Sequence, residues 1–166
     1  MVFHLNLNKT EQGIFTKVNL DKGTVIFEMK GDVISRSQMT SEKYNDYLQI
    51  GKDSFLSKSG DVDDYINHSC NPNCGLHVVG NRAQLYSLYE IKAGSEITYD
   101  FSTTSTATYD EWKMNCQCGF INCRKIISGF QYLDIKTKEL YRSLKVVPLY
   151  VGAANGYNVQ ESHPDK

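Results

Sequence analysis

Three cysteines within eight residues form the densest group of metal-binding side chains in this sequence. Cys116, Cys118 and Cys123 offer soft thiolate ligands at a spacing suited to tetrahedral zinc, which needs a fourth ligand from elsewhere in the chain. The candidates for that ligand are Cys70, Cys74, His68 and His77. Buried structural thiols and a redox or disulfide role are the alternatives that the spacing leaves open.

A second group of polar side chains lies at residues 65–74, which read YINHSCNPNC. The segment is rich in turn-forming and hydrogen-bonding residues, and its Cys and His could also belong to a cysteine hydrolase. No third side chain stands at a spacing that would orient such a pair, so we do not predict a hydrolase. A histidine such as His68, taken alone, is typical of a hydrogen-bonded structural residue.

Short apolar runs bounded by turn residues predict that β-strands position these groups. The predicted strands are residues 25–27, 33–34, 77–79, 83–88 and 97–101. Gly80 and Asn81 predict a hairpin between the third and fourth of them. The alternation in the last run places Ile97, Tyr99 and Phe101 on one face. The sequence therefore predicts a mainly β fold.

Helical signals are few. Residues 41–48 place three aromatic or apolar side chains on one helix face. Thr108 and Glu111 have the spacing of a capping box ahead of Trp112, which predicts one or two helical turns. The chain after Pro148 is rich in Gly, Ala and polar residues, so we expect a loosely ordered tail.

Composition excludes several classes of protein. The formal net charge of −1 provides no field for tracking phosphates, so direct nucleic-acid binding is not expected. Five cysteines, an odd number, do not fit a simple disulfide framework. No apolar run approaches the roughly 18 residues that span a bilayer, and the first residues do not resemble a signal peptide. We therefore expect an intracellular protein in a reducing compartment, the cytoplasm or the nucleus, without a membrane partner.

Charge is unevenly distributed along the chain. Residues 41–100 carry nine acidic and five basic side chains, whereas residues 113–145 carry two acidic and seven basic ones. The acidic middle could attract a basic peptide. Two ordinary solvated faces explain the same pattern, and the sequence does not decide between these interpretations.

Four blocks in fixed order resemble the SET-domain protein lysine methyltransferases. Gly13-Ile14-Phe15 with residues 31–34 resembles the N-terminal strand pair, and residues 65–74 resemble the Asn-His-Ser-Cys segment of the family. Residues 94–101 resemble the strand that closes the active site. The thiol triplet followed by Arg124 resembles the post-SET zinc module, so the resemblance covers roughly residues 10–133.

The resemblance implies an architecture of small curved sheets with a knot-like crossing of two segments, followed by a zinc-bound post-SET segment. It divides the chain into a SET domain over residues 1–113, a post-SET segment over 114–133 and a C-terminal extension over 134–166. The end of that extension is expected to be loosely ordered.

The resemblance also implies the reaction, which is methyl transfer from S-adenosylmethionine to a lysine of a protein or peptide substrate. It assigns the fourth ligand of one structural zinc to Cys70 and places Tyr99 and Phe101 in the catalytic channel. Phe130 is expected to pack over the cofactor or peptide, with plain core packing as the alternative. The expected cofactor-binding residues are Gly13, Ile14, Phe15, Asn67, His68 and Phe130.

Phe101 stands where the family usually has its catalytic tyrosine. Tyr99, or Tyr109 in the following loop, is the candidate for a substitute hydroxyl, and a tyrosine at position 99 implies a low methylation state. The alternative function is a non-catalytic SET module that binds peptide or cofactor without turnover. The sequence does not identify the substrate protein, the oligomeric state or the role of residues 134–166.

Overall fold

Small β-sheets and two short helices make up the part of the chain described by the computed structural model, which is residues 2–7, 12–40, 45–106 and 112–158. The strands are β1 (Phe3–Leu7), β2 (Gln12–Thr16), β3 (Val25–Glu28), β4 (Val33–Ser35), β5 (Leu48–Gln49), β6 (Ser54–Leu56), β7 (Asn67–His68), β8 (Cys74–Val79), β9 (Arg82–Ser87), β10 (Thr98–Tyr99), β11 (Met114–Asn115) and β12 (Ile126–Ile127). The helices are α1 (Ile135–Ser143) and α2 (Leu149–Ala154). Short 3-10 turns lie at Arg36–Gln38, Val62–Tyr65, Phe101–Thr103 and Phe130–Tyr132. The prediction of a mainly β fold with few short helices is confirmed.

Antiparallel pairing builds most of the sheets. The predicted hairpin is present, since β8 pairs with β9 on either side of Gly80 and Asn81, and β3 adds to the free edge of β9. A second three-stranded sheet has the order β4-β6-β5, while β1 pairs with β2 and β11 with β12. The strands predicted at residues 25–27 and 33–34 are β3 and β4.

The two segments that carry the candidate chemistry meet in a parallel pair. Asn67 of β7 pairs with Thr98 of β10, and His68 pairs with Tyr99. The backbone N–H of Ser69 donates to the carbonyl oxygen of Tyr99 at 3.1 Å. Parallel strands need a long connection, and here it contains the β8–β9 hairpin. The knot-like crossing remains a prediction from the resemblance.

Two hydrophobic clusters hold these elements. The first joins the sheets and consists of Ile14, Leu20, Ile50, Leu56, Ile66, Cys74, Leu76, Ala83, Leu85, Ile91, Ile97 and Tyr99. The second joins the C-terminal extension to the sheets and consists of Leu88, Phe130, Leu133, Tyr141, Val146, Val147 and Val151. A Cβ on Gly75 of β8 would lie 2.4 Å from Cγ1 of Val146, so the extension packs directly on the backbone of that strand.

The expectation of loose order directly after Pro148 is wrong. Residues Leu149–Ala154 form α2, and Val151 is fully buried in the second cluster. Burial of an apolar face stabilises a helix this short, which would not form alone in water. Residues 159–166 lie outside the described part of the chain. Neither described helix is long and apolar enough to cross a membrane.

Two local predictions also differ from the structure. Leu48 begins strand β5, which pairs with β6, so the helix predicted at 41–48 does not reach it. Within the run at 97–101 the strand is confined to Thr98–Tyr99, because Phe101 begins a 3-10 turn that the side chain of Asp100 caps. Residues 41–44 and 107–111, which include the predicted caps at Thr108 and Glu111, lie outside the described residues.

Candidate functional site

Four sulfur atoms converge beside the β7–β10 pair. The Sγ atoms of Cys70, Cys116, Cys118 and Cys123 all lie within 4.8 Å of one another, and those of Cys70 and Cys116 are 3.6 Å apart. A tetrahedral site with zinc–sulfur bonds of about 2.3 Å has sulfur–sulfur edges of about 3.8 Å. The four thiols therefore fit a single tetrahedral metal ion.

Backbone N–H groups contact two of the four sulfurs, whereas burial raises the pKa of the Cys70 and Cys116 thiols. The backbone N–H of Arg124 donates to Sγ of Cys70, and that of Lys125 donates to Sγ of Cys123, each at 3.4 Å. Burial opposes ionisation of Cys118, yet hydrogen bonds with the backbone of Cys70 and Phe120 lower the pKa of its thiol to about 7. Thiolates are the form that binds metal, so this donor set suits a cation.

The other candidate ligands lie outside this group of four. Cys74 is buried in the first cluster, where its Sγ lies 3.4 Å from Oδ1 of Asn73 and burial raises the pKa of its thiol to about 12. His77 lies on β8, opposite Gln84 of β9. His68 lies next to the group, with Nε2 at 3.4 Å from Sγ of Cys70.

His68 lies between the cluster of four thiols and the turn that follows β10. Its Nδ1 accepts the backbone N–H of Phe101 at 3.2 Å, which leaves the ring proton on Nε2, facing the sulfur of Cys70. Burial lowers the pKa of His68 to about 4, although the nearby Asp100 acts in the opposite direction. A neutral imidazole therefore fixes the position of Phe101 relative to the thiols.

Asn67 is held by two acceptors. Its Nδ2 donates to the carbonyl oxygen of Gln12 at 2.9 Å and to Oε1 of Glu96 at 2.8 Å. Gly13 makes this arrangement possible, because a Cβ there would lie 2.2 Å from Oε1 of Glu96 and 2.9 Å from Nδ2 of Asn67. Glycine is therefore required at position 13, because the side chains of Glu96 and Asn67 leave no room for a Cβ.

A cleft of about 870 Å³ opens beside these residues, within the size range of small-molecule sites. Its walls come from β2, from the β7–β10 pair and from residues 116–123, the thiol-rich segment. The lining residues include Phe15, Asn67, His68, Glu96, Phe101, Gln117, Cys118 and Phe120. The cleft can therefore hold a ligand of about the size of a nucleoside derivative.

A smaller cavity of about 120 Å³ shares Phe101 and Met114 with the cleft. Aromatic and apolar side chains line much of it, among them Tyr47, Leu48, Tyr99 and Trp112. Acidic side chains lie there as well, namely Asp46, Asp63 and Asp64. The ring of Phe101 is thus a common wall of a cofactor-sized cleft and an aromatic cavity.

Tyr99 lies on the side of the smaller cavity. Its ring centroid is 4.8 Å from that of Phe101, and burial raises the pKa of its hydroxyl, which therefore stays protonated. Tyr99 lines the smaller cavity, and it is absent from the described lining of the cleft. Tyr109, the other candidate for a substitute hydroxyl, lies outside the described residues.

Two of the predicted cofactor-binding residues lie in the hydrophobic clusters. Ile14 is fully buried in the first cluster, and its carbonyl oxygen accepts the N–H of Ile97 at 2.8 Å. Phe130 is fully buried in the second cluster, which matches the core-packing alternative. Neither side chain is among the described residues that line the cleft.

Several residues that hold the site together were not among the predicted site residues. Glu96 and Asp100 lie in the block 94–101 that resembles the family, and Arg124 directly follows the thiol triplet. Their positions in these motifs could have identified all three as site residues. Tyr141 had no signal in the sequence. It reaches Asp100, the residue after β10, only through the tertiary packing of the C-terminal extension.

Comparisons with known protein sequences point to one family. The family model of the SET domain matches residues 11–102. The chain is 35% identical over 132 residues to histone-lysine N-methyltransferase 2B of Homo sapiens, covering 70% of this chain and 5% of that protein. It is 31% identical over 128 residues to an H3 lysine-4 specific histone-lysine N-methyltransferase of Schizosaccharomyces pombe, covering 68% of this chain and 13% of that protein. The chain therefore spans only a small part of the length of these relatives.

Solved structures share the fold. A crystal structure of KRYPTONITE in complex with mCHG DNA and SAH superposes with a TM-score of 0.62 at 21% identity, covering 76% of this chain and 29% of that one. A second crystal structure, of KRYPTONITE in complex with mCHH DNA, an H3(1-15) peptide and SAH, gives a TM-score of 0.59 at 22% identity, covering 76% of this chain and 30% of that one.

Proposed function

This chain belongs to the SET domain family, and on that premise we propose that it transfers a methyl group from S-adenosylmethionine to the side-chain amine of a lysine in a protein substrate. The observation that carries this proposal is the shared wall at Phe101, where a cofactor-sized cleft and an aromatic cavity meet. Gly13, Phe15, Asn67 and His68 would hold the cofactor, because they line the cleft or shape its wall.

The reaction requires alignment more than acid–base chemistry. The sulfonium of the cofactor supplies an electrophilic methyl group. The lone pair of the lysine nitrogen forms the new carbon–nitrogen bond while the carbon–sulfur bond breaks, its electron pair stays on sulfur, and the nitrogen then loses a proton to water. Tyr99 and Phe101 would form the channel for the lysine, and a desolvating aromatic channel favours the neutral amine that has this lone pair.

The four thiols would hold one structural zinc ion. Zinc with four thiolates has no open coordination position, so its role is to fix the cleft wall that contains Gln117, Cys118 and Phe120. Cys70 would tie this wall to the β7–β10 pair.

The substrate would be a protein segment that presents a lysine to the aromatic cavity. One of the two KRYPTONITE complexes contains an H3(1-15) peptide, so a histone H3 tail is the first substrate to test, with non-histone proteins beside it. The net charge of −1 gives no reason to expect direct nucleic-acid binding by this chain. Tyr99 would restrict the space around the amine and so favour a low methylation state.

The decisive experiment is incubation of the full chain with labelled S-adenosylmethionine and mixed protein substrates, followed by mass spectrometry of the labelled lysines. Incorporation of one or two methyl groups at defined lysines is the expected result. Cofactor binding in calorimetry without any incorporation would instead favour the non-catalytic module, for which the absence of a hydroxyl on Phe101 is the specific argument.

We expect Phe101→Tyr to accelerate methyl transfer about 10-fold or more, because a hydroxyl at the shared wall can orient the reacting groups. Tyr99 lines only the smaller cavity within the described residues, so we do not expect its hydroxyl to take this role in the cleft. Phe120→Tyr is the matched control, since Phe120 lines the same cleft and is not among the described residues that line the smaller cavity. A rate for Phe101→Tyr equal to that of the unchanged chain would show that another hydroxyl already performs this role.

Gly13→Ala is expected to weaken binding of S-adenosylmethionine about 10-fold, because the new Cβ displaces Glu96 and Asn67 from their hydrogen bond. Calorimetric titration of the cofactor measures the effect. Gly51→Ala is the control. A Cβ there would lie 3.3 Å from its nearest neighbour, Cβ of Ser54, which is a much milder contact than the 2.2 Å at Gly13. Unchanged affinity in Gly13→Ala would mean that Asn67 does not hold the cofactor.

A further inference from the structure

We propose that the C-terminal extension is part of the catalytic unit, with Tyr141 of α1 acting as a positioning residue for Phe101 through the carboxylate of Asp100. This inference rests on the proposed methyl transfer, because Phe101 is the shared wall of the two cavities. It assigns a role to a helix that lies beyond the residues matched to the SET domain.

Asp100 is the centre of a buried network between three segments of the chain. It is 1% exposed, and its two carboxylate oxygens lie 2.8 and 2.7 Å from Nη2 of Arg124. The hydroxyl of Tyr141 donates to Oδ2 at 2.6 Å. Nδ1 of His68 lies 3.4 Å from Oδ1, but in the neutral ring this nitrogen is an acceptor and donates no hydrogen bond to the carboxylate. The carboxylate thus joins the β7–β10 pair to the thiol-rich segment and to α1.

The same carboxylate sets the backbone direction at Phe101. Oδ1 of Asp100 accepts the N–H of Ser102 at 3.0 Å, and its carbonyl oxygen accepts the N–H of Thr103 at 2.9 Å. These bonds form the 3-10 turn Phe101–Thr103, which turns the chain away from the strand direction. A rotation of the Asp100 side chain would therefore move the ring of Phe101.

Tyr141 is itself fixed by the extension. The side chain of Asp134 caps α1 by accepting the N–H of Thr137 at 3.0 Å, and Tyr141, 2% exposed, packs in the second cluster. Burial and the neighbouring Asp100 raise the pKa of Tyr141, so its hydroxyl remains a donor at any physiological pH. The helix thus holds a permanent hydrogen-bond donor against the carboxylate.

A second tyrosine of the extension supports the same turn. The hydroxyl of Tyr150 in α2 lies 2.7 Å from the carbonyl oxygen of Gln49 and 2.9 Å from that of Thr104. Thr104 directly follows the 3-10 turn, and both Tyr99 and Thr104 line the smaller cavity. The extension therefore contacts the residues on both sides of the turn Phe101–Thr103, namely Asp100 and Thr104.

The test compares the buried hydroxyl of Tyr141 with the hydroxyl of Tyr86, a half-buried tyrosine. Tyr141→Phe removes the bond to Asp100, whereas Tyr86→Phe removes a hydroxyl near the same cluster that lies 3.4 Å from the carbonyl oxygen of Lys145. Small displacements of reacting groups lower rates strongly, so we expect Tyr141→Phe to lower kcat about 10-fold with KM values for cofactor and peptide within about twofold. Tyr86→Phe is expected to keep the kcat of the unchanged chain.

Hydrogen–deuterium exchange of the full chain is the second measurement, and it does not depend on activity. Tyr141→Phe should accelerate exchange at the amides of residues 101–103 while leaving β8 and β9 protected. An unchanged kcat with unchanged exchange at 101–103 would overturn the proposal, as would a uniform rise in exchange across all segments. If the unchanged chain transfers no methyl group, the proposed function fails, but local exchange still decides whether Tyr141 holds the turn.

Discussion

Cys70→Ser is expected to release the proposed zinc ion and to weaken cofactor binding strongly. Cys70 is the thiol that connects the β7–β10 pair to the three thiols of the segment 116–123. Structural zinc contributes on the order of 10 kcal/mol to the folding of small thiolate sites, so loss of one ligand is expected to disorder the segment. Gln117, Cys118 and Phe120 would then leave the cleft wall, and we expect affinity for S-adenosylmethionine to fall about 100-fold or more.

Metal analysis and calorimetric titration measure both effects, and Cys74→Ser is the control. Cys74 also belongs to the segment 65–74, but it lies in the first cluster with its Sγ 3.4 Å from Oδ1 of Asn73. A serine can donate to the same oxygen, so that variant should retain about one zinc per chain. Equal metal loss from both variants would show that Cys70 is not the fourth ligand.

Asp100→Asn is expected to lower the free energy of unfolding by about 3 kcal/mol and to remove most methyl-transfer activity. The substitution preserves shape but leaves the guanidinium of Arg124, which is 20% exposed, without its counter-charge. Removing one partner of a buried ion pair costs about 3–5 kcal/mol. The retained amide oxygen can still accept one hydrogen bond, so we expect the lower end of that range.

Denaturant unfolding and the methyl-transfer assay measure these two effects. Glu28→Gln is the matched control, because it also removes the carboxylate of an arginine pair, with Nε of Arg82 at 2.7 Å from Oε1 of Glu28. That pair is exposed to solvent, where screening makes such contacts weak, so its loss should hardly change stability. Equal destabilisation by the two variants would mean that Asp100 does not anchor a buried network.

Local pattern was sufficient for much of the fold. Turn residues bounded β3 and β4, and Gly80-Asn81 marked the β8–β9 hairpin, because such signals act within a few residues of the chain. Predictions from local pattern were wrong where tertiary packing determines the secondary structure. Leu48 joins a sheet instead of a helix, and Leu149–Ala154 is helical because it buries Val151 in the second cluster.

The sequence by itself determined the chemical character of the site. The spacing of Cys116, Cys118 and Cys123 indicated a soft-metal site, and the four ordered blocks indicated the family. Spacing alone left Cys70, Cys74, His68 and His77 open as the fourth ligand, and the family resemblance implied Cys70. The tertiary structure separates the two cysteines, because Cys70 faces the other thiols while Cys74 is buried between the sheets.

Only the tertiary structure decided how the site is supported. Tyr141 and Asp100 are 41 residues apart, and no local pattern links a helix residue to a buried carboxylate. Their contact follows from the packing of the extension against Gly75, where the second cluster places Tyr141 of α1 beside the 3-10 turn Phe101–Thr103. Side-chain type and spacing are properties of the chain, whereas the partner of a buried charge depends on which distant surfaces pack together.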